Sequence, residues 1–389
     1  MILGIDASNI RGGGGVTYLA EMLRSAQPHA FGFKKIVIWS GYSTLRRIED
    51  RPWLHKIHEP LLDRSLPYRL FWQFCQLSLK VKACQCNMLY VPGSFYLGRF
   101  RPFVTISRNM LPFELREMRR YGVSRNMLRL LFLRWAQLYT FRRTDGLIFL
   151  TRYARNTILR INPKASSKMA VISHGIDSRF QMVPRKQLEI TRFSTSHPLR
   201  IIYVSAIDAY KHQWHVAKAI SKLRKAGFPL VLDLIGPAYN PSLRRLRDTL
   251  QRIDPEGEFI RYLGAVSHDR LPGVYSDADV CVFASSCENM PNILLEAMAS
   301  GLPIACSNRG PMPEVLGDAG LYFDPENPEE IANALSQLIN SPELRTEKAR
   351  ASFALGKAYS WRRCADETFH FLSDVMITSQ SAGSRVETR

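Results

Sequence analysis

The feature that most constrains the fold is a regular alternation of strand and helix patterns in the C-terminal half of this 389-residue chain. Short apolar runs bounded by turn residues predict buried strands. These runs lie at 201–204, 230–235, 259–263, 280–284 and 303–306. Helical patterns lie between them, at 213–225, 241–252, 268–276 and 291–300. Strands that alternate with helices predict a parallel α/β sheet joined by right-handed crossovers.

The N-terminal half shows the same alternation less regularly. Its strand patterns lie at 2–5, 36–39, 88–91, 103–106, 147–150 and 170–173. The chain is long enough for two domains. The sequence therefore predicts two Rossmann-like α/β domains with a ligand cleft between them. We place the parts as follows: a first domain at 1–178, a connection at 179–198, a second domain at 199–359, a last helix at 360–376 and a polar, disordered tail at 377–389.

Composition indicates a cytoplasmic protein. No stretch of about 20 residues is apolar and uncharged, as a membrane span requires. The first residues, Met1 to Asp6, form a strand pattern without the features of a signal peptide. The seven cysteines are odd in number and irregularly spaced, which argues against a disulfide framework. Cys84 and Cys86 lack a second pair of ligands for zinc.

The excess positive charge lies in the N-terminal half. Residues 1–195 contain 32 Lys and Arg against 11 Asp and Glu, whereas residues 196–389 contain 21 against 23. This asymmetry is explained by solubility alone, or by attraction to anionic lipid or another polyanion. An aromatic-rich segment at 126–141 allows the same two interpretations: a helix packed on the sheet, or a basic amphipathic face at a membrane. Its arginines are Arg125, Arg129, Arg134, Arg142 and Arg143, and its aromatics include Phe132 and Trp135.

Two glutamates eight positions apart, Glu288 and Glu296, form the main candidate site. Glu288 follows a predicted buried strand, and Glu296 lies about a turn and a half into the next helix, near whose start stands Pro291. First-turn N–H groups of a helix lack intrahelical partners and attract anions. Those groups belong to Asn292, Ile293 and Leu294. A phosphate site flanked by two carboxylates suits a nucleotide-sugar.

This pattern resembles the E-x7-E signature of retaining glycosyltransferases of the GT-B fold, the family often called GT4. The resemblance is strong over 200–330 and weaker toward the N-terminus. It implies that Glu288 contacts the donor sugar and that Glu296 holds the ribose hydroxyls. It also implies that the helix at 360–376 returns to the first domain, and that no metal, cofactor or enzyme nucleophile is required.

The resemblance extends to two loops that would hold the donor diphosphate. In the loop after the strand at 201–204, Lys211 matches a lysine that grips the diphosphate, while Ala206 stands where the family has an arginine. The glycine run 12–15 matches a loop that reaches the diphosphate from the first domain, with Gly14 and Gly15 as the donor-binding residues. Because the arginine is missing, another basic residue is expected to substitute.

The acceptor side is less well matched. His174 and Gly175 lie in a segment that resembles a motif at the end of the family's first domain, where His174 either faces the cleft or is structural. Many relatives have a histidine near the position of Ser107, whereas this chain continues with Arg108 and Asn109. We therefore assign Arg108, Asn109 and His174 to the acceptor side.

A D-x-D pattern at Asp277 and Asp279 imitates a metal motif. Its place between a helix end and a buried strand favours capping and turn chemistry instead. We therefore predict no metal site.

Taken with the resemblance, the sequence indicates a retaining, metal-independent hexosyltransferase at the inner membrane face. It would use a GDP- or UDP-sugar, with mannose as the expected hexose, and a hydroxyl of a growing lipid-linked glycan as acceptor in surface polysaccharide synthesis of the O-antigen type. Two alternatives stay open. One is a GT-B-fold sugar-nucleotide epimerase, which needs no acceptor. The other is a basic nucleic-acid-binding protein, although no nucleic-acid-reading motif is present.

Overall fold

The computed structural model of the chain describes residues 1–166 and 168–386. It divides into two compact units. The first unit comprises 1–113, 123–175 and the chain from 360 onward, and the second comprises 114–122 and 176–359. Each unit is built on one sheet.

The sheet of the first unit has seven parallel strands in the order β3-β2-β1-β4-β5-β6-β7. The strands are β1 (Ile2–Asp6), β2 (Lys35–Ser40), β3 (Leu54–His58), β4 (Met88–Val91), β5 (Phe103–Ile106), β6 (Gly146–Phe149) and β7 (Met169–Val171). All residues of β4, β5 and β6 are buried, as expected for parallel strands covered on both faces.

Seven α-helices belong to the described part of the first unit. They are α1 (Gly14–Ser25), α2 (Tyr42–Leu45), α3 (Leu66–Phe71), α4 (Leu77–Ala83), α6 (Arg125–Arg143), α7 (Arg152–Ile161) and α15 (Trp361–Val386). A π-helical turn at Trp72–Gln76 joins α3 to α4. Helix α15 packs against α1, and its Phe369 contacts the rings of Phe31 and Phe33.

The second unit has six parallel strands in the order β10-β9-β8-β11-β12-β13. They are β8 (Leu199–Val204), β9 (Leu230–Ile235), β10 (Ile260–Gly264), β11 (Val280–Phe283), β12 (Ile304–Ser307) and β13 (Gly320–Phe323). The α-helices of this unit are α5 (Leu115–Arg119), α8 (Gln213–Lys225), α9 (Asn240–Ile253), α10 (Leu271–Ser276), α11 (Asn292–Ala299), α12 (Met312–Leu316), α13 (Pro328–Asn340) and α14 (Pro342–Gly356).

The predicted α/β class with two parallel sheets is confirmed, but two strands escaped prediction. Strand β3 lies at the edge of its sheet and reads Leu-His-Lys-Ile-His, so it lacks the continuous apolar run of a central strand. Strand β13 is also an edge strand and is only four residues long. In the described residues, no helix is both long and apolar enough to cross a bilayer.

The structure corrects the predicted boundaries at three places. Residues 114–122 belong to the second unit rather than to the first. Residues 179–198, predicted to be a connection, are also part of the second unit. The last helix continues to Val386, so the predicted disordered tail is helical over 377–386, and residues 387–389 lie outside the described chain.

Gly175 is required by a close approach of two backbone segments. A Cβ atom at this position would lie 2.1 Å from the backbone nitrogen of Trp361 and 2.5 Å from the carbonyl carbon of Ser360. Only glycine therefore lets the backbone at the end of the first sheet approach the start of α15 so closely.

We expect Gly175→Ala to destabilise the protein by about 1–3 kcal/mol, the usual range for an atom forced into filled space. Gly273→Ala is the matched control, since a Cβ there meets no atom within 4 Å. Its helical position makes the alanine neutral or stabilising by up to about 1 kcal/mol. Calorimetric melting of both variants measures the difference, and equal melting temperatures would contradict the packing argument.

Candidate functional site

The central strands of the second sheet place two loops at one edge. Strands β8 and β11 are neighbours although they are not consecutive in the chain. In a doubly wound sheet the loops that leave such a pair diverge and form a ligand crevice at the carboxyl ends of the strands. The loop after β8 contains Lys211, and the loop after β11 contains Glu288. The topology therefore brings the predicted cation and the predicted carboxylate to the same edge.

Lys211 and Glu288 form an ion pair through Nζ and Oε1. Lys211 is only 5% exposed, and its Nζ lies 5.1 Å from the ring centroid of Tyr210 and 5.5 Å from that of Phe283. The family resemblance implies separate ligand partners for the two charged groups, the diphosphate for Lys211 and the sugar for Glu288, whereas in the structure the two side chains pair with each other. An ammonium has three N–H donors, so the pair leaves donors for phosphate oxygens.

Glu296 lies on α11 and is held by two side chains that the sequence did not suggest. The hydroxyl of Tyr275 donates to its Oε2 at 3.1 Å, and Nε2 of His268 lies 3.6 Å from its Oε1. Interaction with this carboxylate raises the pKa of His268, and burial raises that of Tyr275. Because a carboxylate has about four acceptor positions, both contacts leave capacity for ribose hydroxyls.

The start of α11 is less open than predicted. Its N-cap is Pro291, and the N–H of Leu294 donates to the carbonyl oxygen of Pro291 at 3.0 Å. The expectation that Leu294 offers its amide to an anion is therefore wrong, because a tight first turn satisfies that amide within the helix. Asn292 and Ile293 remain as the first two helical residues.

A segment from the N-terminal half, 114–122, is bonded to both loops of the site. The hydroxyl of Tyr121 donates to Oδ1 of Asp208 at 2.8 Å, in the loop after β8. Oγ of Ser286, in the loop after β11, donates to Oε2 of Glu117 at 2.6 Å. Sequence reasoning missed this segment because its contacts span about 90 and 170 positions and no local pattern indicates them.

Ser286 also connects to the residue next to Lys211. Its Oγ lies 2.9 Å from Nε2 of His212, which is fully buried and has a backbone φ of 55°. Burial lowers the pKa of His212 to about 2, so the imidazole is neutral at physiological pH. The loop that carries Lys211 is thereby fixed at its end by a neutral hydrogen bond.

The missing arginine at Ala206 is not replaced by a neighbouring cation in the same loop. The carbonyl oxygen of Ala206 accepts a hydrogen bond from Nε2 of Gln213 at 2.8 Å. Arg309, in the loop after β12, pairs with Asp324, and Arg120 pairs with Glu326. Both arginines pair with carboxylates, as Lys211 itself pairs with Glu288, so neither is identified as the substitute for the arginine missing at Ala206.

The glycine run of the first unit starts α1. Gly13 is its N-cap with φ of 58°, a conformation that favours glycine. Nη2 of Arg108 donates to the carbonyl oxygen of Gly14 at 2.7 Å, and a Cβ on Gly15 would lie 3.1 Å from Nη1 of Arg108. The structure thus joins Gly14 and Gly15, predicted for the donor, to Arg108, predicted for the acceptor.

The other acceptor-side residues differ in their surroundings. Asn109 is exposed and accepts a hydrogen bond from the backbone N–H of Leu111 at 3.1 Å. His174 is 3% exposed, and its ring packs 5.0 Å from Tyr18 and 5.8 Å from Trp361 between ring centroids. Of its two predicted roles, these contacts favour the packing one, and the acceptor-side assignment of His174 stays a prediction.

Helix α6 exposes a row of aromatic side chains to solvent, but not all of its arginines lie beside this row. Trp135 stacks on Tyr139 at 5.9 Å between ring centroids, and both are exposed. Arg134 turns away from this row: its Nη1 donates to the carbonyl oxygen of Pro112 at 3.0 Å, and its guanidinium lies 6.0 Å from the ring of Phe113. Arg134 therefore does not belong to a lipid-facing set.

The two aspartates of the D-x-D pattern have structural partners. Asp279 accepts a bond from Nη2 of Arg185 and one from the backbone N–H of Arg200, both at 2.7 Å. Asp277 is exposed and lies 3.8 Å from Nη1 of Arg200. Within residues 1–166 and 168–386, no group of three or more His, Cys, Asp or Glu side chains is arranged to hold a metal ion.

The sequence of this chain is similar to those of known glycosyltransferases. Residues 198–341 match the family model described as glycosyl transferases group 1. O-antigen chain mannosyltransferase B of Escherichia coli is 26% identical over 231 residues, 58% of this chain and 59% of that protein. A GDP-mannose-dependent alpha-(1-6)-phosphatidylinositol monomannoside mannosyltransferase of Mycobacterium tuberculosis is 27% identical over 237 residues, 56% of this chain and 58% of that protein.

The fold matches over nearly the whole chain. Sucrose-phosphate synthase from Thermosynechococcus elongatus superposes with a TM-score of 0.75 at 16% identity, covering 97% of this chain and 100% of that one. The predicted GT-B fold and the resemblance to GT-B glycosyltransferases are confirmed. In sequence, the chain spans a little under three fifths of the length of these curated relatives.

The bonds from 114–122 make a loop-specific prediction. Glu117→Ala removes the carboxylate that accepts a hydrogen bond from Ser286, and a hydrogen bond to a charged group contributes about 1.5–3 kcal/mol, while Oγ of Ser286 keeps its contacts with His212 and the carbonyl oxygen of Tyr210. Amide hydrogen exchange should therefore accelerate in 284–291. Tyr121→Phe removes the bond to Asp208 and should accelerate exchange in 205–212.

Arg119→Ala is the control, since Arg119 is an exposed residue of the same segment. Exchange should stay unchanged in both loops. If Glu117→Ala and Tyr121→Phe affected neither loop, or affected both equally, the segment would not hold the loops separately.

Proposed function

We propose that this chain, a GT-B fold with a group 1 glycosyl transferase domain, moves a hexose from a GDP- or UDP-sugar to a hydroxyl of a growing glycan with retention of configuration. The observation that supports this most directly is the buried Lys211–Glu288 pair at the point where the strand order of the second sheet reverses. It lies within the residues that match the family model.

The proposed chemistry follows from charge. In the transition state the leaving diphosphate gathers negative charge, and a fixed cation in a poorly hydrated place stabilises it most. Lys211 is such a cation. Glu288 would contact the sugar and Glu296 the ribose. As the family resemblance implies, the acceptor attacks from the side of the leaving group, and a phosphate oxygen takes its proton. No enzyme nucleophile is needed.

The sugar and the acceptor are inferred from relatives. Two matched proteins are named as mannosyltransferases, one of them of the O-antigen chain and the other of a phosphatidylinositol mannoside. They support mannose as the sugar, GDP-mannose as its donor and a lipid-linked glycan as acceptor. Surface polysaccharide synthesis at the inner face of the membrane is the corresponding process.

Three variants test the division of roles. Glu296→Ala should weaken binding of free GDP or UDP, because ribose loses an acceptor. Lys211→Ala should weaken the same binding and lower turnover by about two orders of magnitude, the loss typical for one charge-stabilising contact. Glu288→Ala should lower turnover comparably but spare free nucleotide, because the sugar loses its contact while the Lys211 ammonium, freed from its carboxylate, can still pair with the diphosphate.

Calorimetric titration with GDP and UDP, beside a transfer assay, measures these effects. Because Glu288 also pairs with Lys211, the variant that combines Lys211→Ala with Glu288→Ala should bind free nucleotide no more weakly than Lys211→Ala alone. Unchanged nucleotide affinity in Glu296→Ala would remove the ribose assignment. Donor turnover by the parent protein without any acceptor would instead support an epimerase.

We expect transfer to be independent of divalent metal. Asp277 and Asp279, the residues of the metal-like pattern, are placed beside arginines, and Lys211 supplies the positive charge for the diphosphate. Activity should persist in excess EDTA. Loss of activity that Mg²⁺ or Mn²⁺ restores would show that this proposal is wrong.

Peripheral binding to an anionic membrane is the proposed use of the basic half. Arg125, Arg142 and Arg143 belong to α6, which also exposes Trp135. Each basic residue near such a surface contributes about 1 kcal/mol, and salt screens it. The protein should cosediment with vesicles that contain anionic lipid and dissociate as salt rises.

Reversing Arg125, Arg142 and Arg143 to Glu should abolish this cosedimentation and leave nucleotide affinity intact. A triple reversal at Arg244, Arg247 and Arg252 of α9 in the second unit serves as a control of equal charge change. Binding that ignores lipid charge, or that falls equally in both triple variants, would leave solubility as the explanation of the charge.

A further inference from the structure

A second crevice lies at the reversal point of the first sheet. Strands β1 and β4 are its non-consecutive neighbours, and the loops that follow them border a cavity of about 420 Å³. Helices α3 and α6 contribute further wall residues, including Leu66 and Phe132, and Arg108 and Asn109 come from the loop after β5. By the topology argument that applies to the second sheet, this is a place where a ligand is expected.

The cavity is positively charged and lacks counterions. Arg69, Arg108 and Arg129 line it, and no Asp or Glu is among the described residues of its wall. Nη1 of Arg69 donates only to neutral oxygens, the carbonyl of Ser8 and Oδ1 of Asn9, both at 3.3 Å. Three guanidinium groups at one cavity without a carboxylate favour the binding of an anion.

Two of these arginines are incompletely satisfied. The Nε atoms of Arg69 and Arg108 are buried and have no hydrogen-bond partner within the described chain. Burial lowers the pKa of both side chains, although guanidinium groups remain charged. A buried charge without a partner is unfavourable, so an anion with several oxygens would relieve both groups.

The start of helix α1 borders the same cavity. Gly15, in the first turn of this twelve-residue helix, lines the cavity. The N–H of Val16 donates to the carbonyl oxygen of Gly13 at 3.1 Å, so that amide is satisfied within the helix. The helix dipole adds positive potential at this end, beside the arginine side chains.

An exposed aromatic row leads away from the cavity along α6. Phe132 lines the cavity and lies 6.0 Å from Trp135, which stacks on Tyr139 with an interplanar angle of 12°. Trp135 is 57% exposed and Tyr139 is 42% exposed. Leu128 and Leu131 of the same helix are also exposed. Large apolar side chains grouped beside a charged cavity fit a ligand with a polar head and an apolar chain.

We propose that the first unit binds the phosphate of an amphiphilic, lipid-linked acceptor, with the phosphate among Arg69, Arg108 and Arg129 and the apolar chain along Phe132, Trp135 and Tyr139. This inference rests on the proposed function, since it names the acceptor of that transfer. The same phosphate chemistry is present in a nucleotide diphosphate, but a nucleotide has no chain to cover the aromatic row.

Binding of farnesyl phosphate to the full chain tests the proposal, with farnesol, inorganic pyrophosphate and GDP or UDP as comparison ligands in calorimetry. Farnesyl phosphate should bind more tightly than farnesol and than pyrophosphate, because only it uses both parts of the surface. Its affinity should fall as salt rises.

Arg129→Gln is the principal variant, because Arg129 is exposed and its replacement should not disturb folding. It should weaken farnesyl phosphate about tenfold or more, the effect of losing one charged hydrogen bond. Arg69→Gln should act in the same direction. Trp135→Ala should weaken farnesyl phosphate and leave pyrophosphate unchanged. Arg155→Gln, an exposed arginine on α7, is the matched control and should change nothing.

The comparison ligands separate the possible failures. Equal binding of farnesol and farnesyl phosphate, or an Arg129→Gln variant with unchanged affinity, would overturn the phosphate site. Variants that no longer bind GDP or UDP but still bind farnesyl phosphate would show that the cavity binds the donor. This result would also overturn the proposal. A parent protein that binds farnesyl phosphate but no nucleotide would refute the proposed function and leave the cavity assignment standing.

Discussion

The structure of the candidate site depends on one buried ion pair, Lys211 with Glu288. A lysine that is 5% exposed requires a counter-charge, because desolvation of an unpaired ammonium is strongly unfavourable. Strands β8 and β11 supply that counter-charge by placing their following loops side by side. The pair therefore couples the position of the Lys211 ammonium to that of the Glu288 carboxylate. A site of this kind holds its cation in place before the ligand arrives, which is the condition for stabilising charge that develops later.

The two loops that carry this ion pair are held in place by residues outside the loops. Each is bonded to the short segment 114–122, through Asp208 in one case and Ser286 in the other. The segment enters from the N-terminal half of the chain but belongs to the second unit. Its role is positional, since Glu117 and Tyr121 contact the loop residues and not Lys211 or Glu288 themselves. The positions of the two site loops therefore depend on a part of the sequence that shows no recognisable motif.

The sequence predicted what is periodic and local. The central strands, helices α6, α8, α9 and α11 and the Glu288 and Glu296 positions follow from apolar runs, helix signals and a spaced motif, whereas Lys211 rests on the family resemblance. Helices α13 and α14 were not predicted. The prediction failed where the structure depends on contacts between residues far apart in the chain, or on details of hydrogen-bond geometry. Edge strand β3 lacks an apolar run, and the amide of Leu294 is lost to a tight first turn. Neither long-range contacts nor the selection of one local hydrogen bond over another produces a clear pattern in a single sequence.

The two sheets differ in how charges are paired at equivalent positions, namely where the strand order reverses. At the reversal point of the second sheet, Lys211 is matched by Glu288, so an incoming phosphate meets a cation whose charge is already partly balanced. At that of the first sheet, Arg69 and Arg108 have buried Nε atoms and no carboxylate in the described wall of their cavity. The first arrangement suits a ligand that must leave after reaction, and the second suits an anion that is held throughout. In the proposed transfer the donor phosphate departs and the acceptor phosphate stays, so each of the two arrangements corresponds to one of the proposed phosphates.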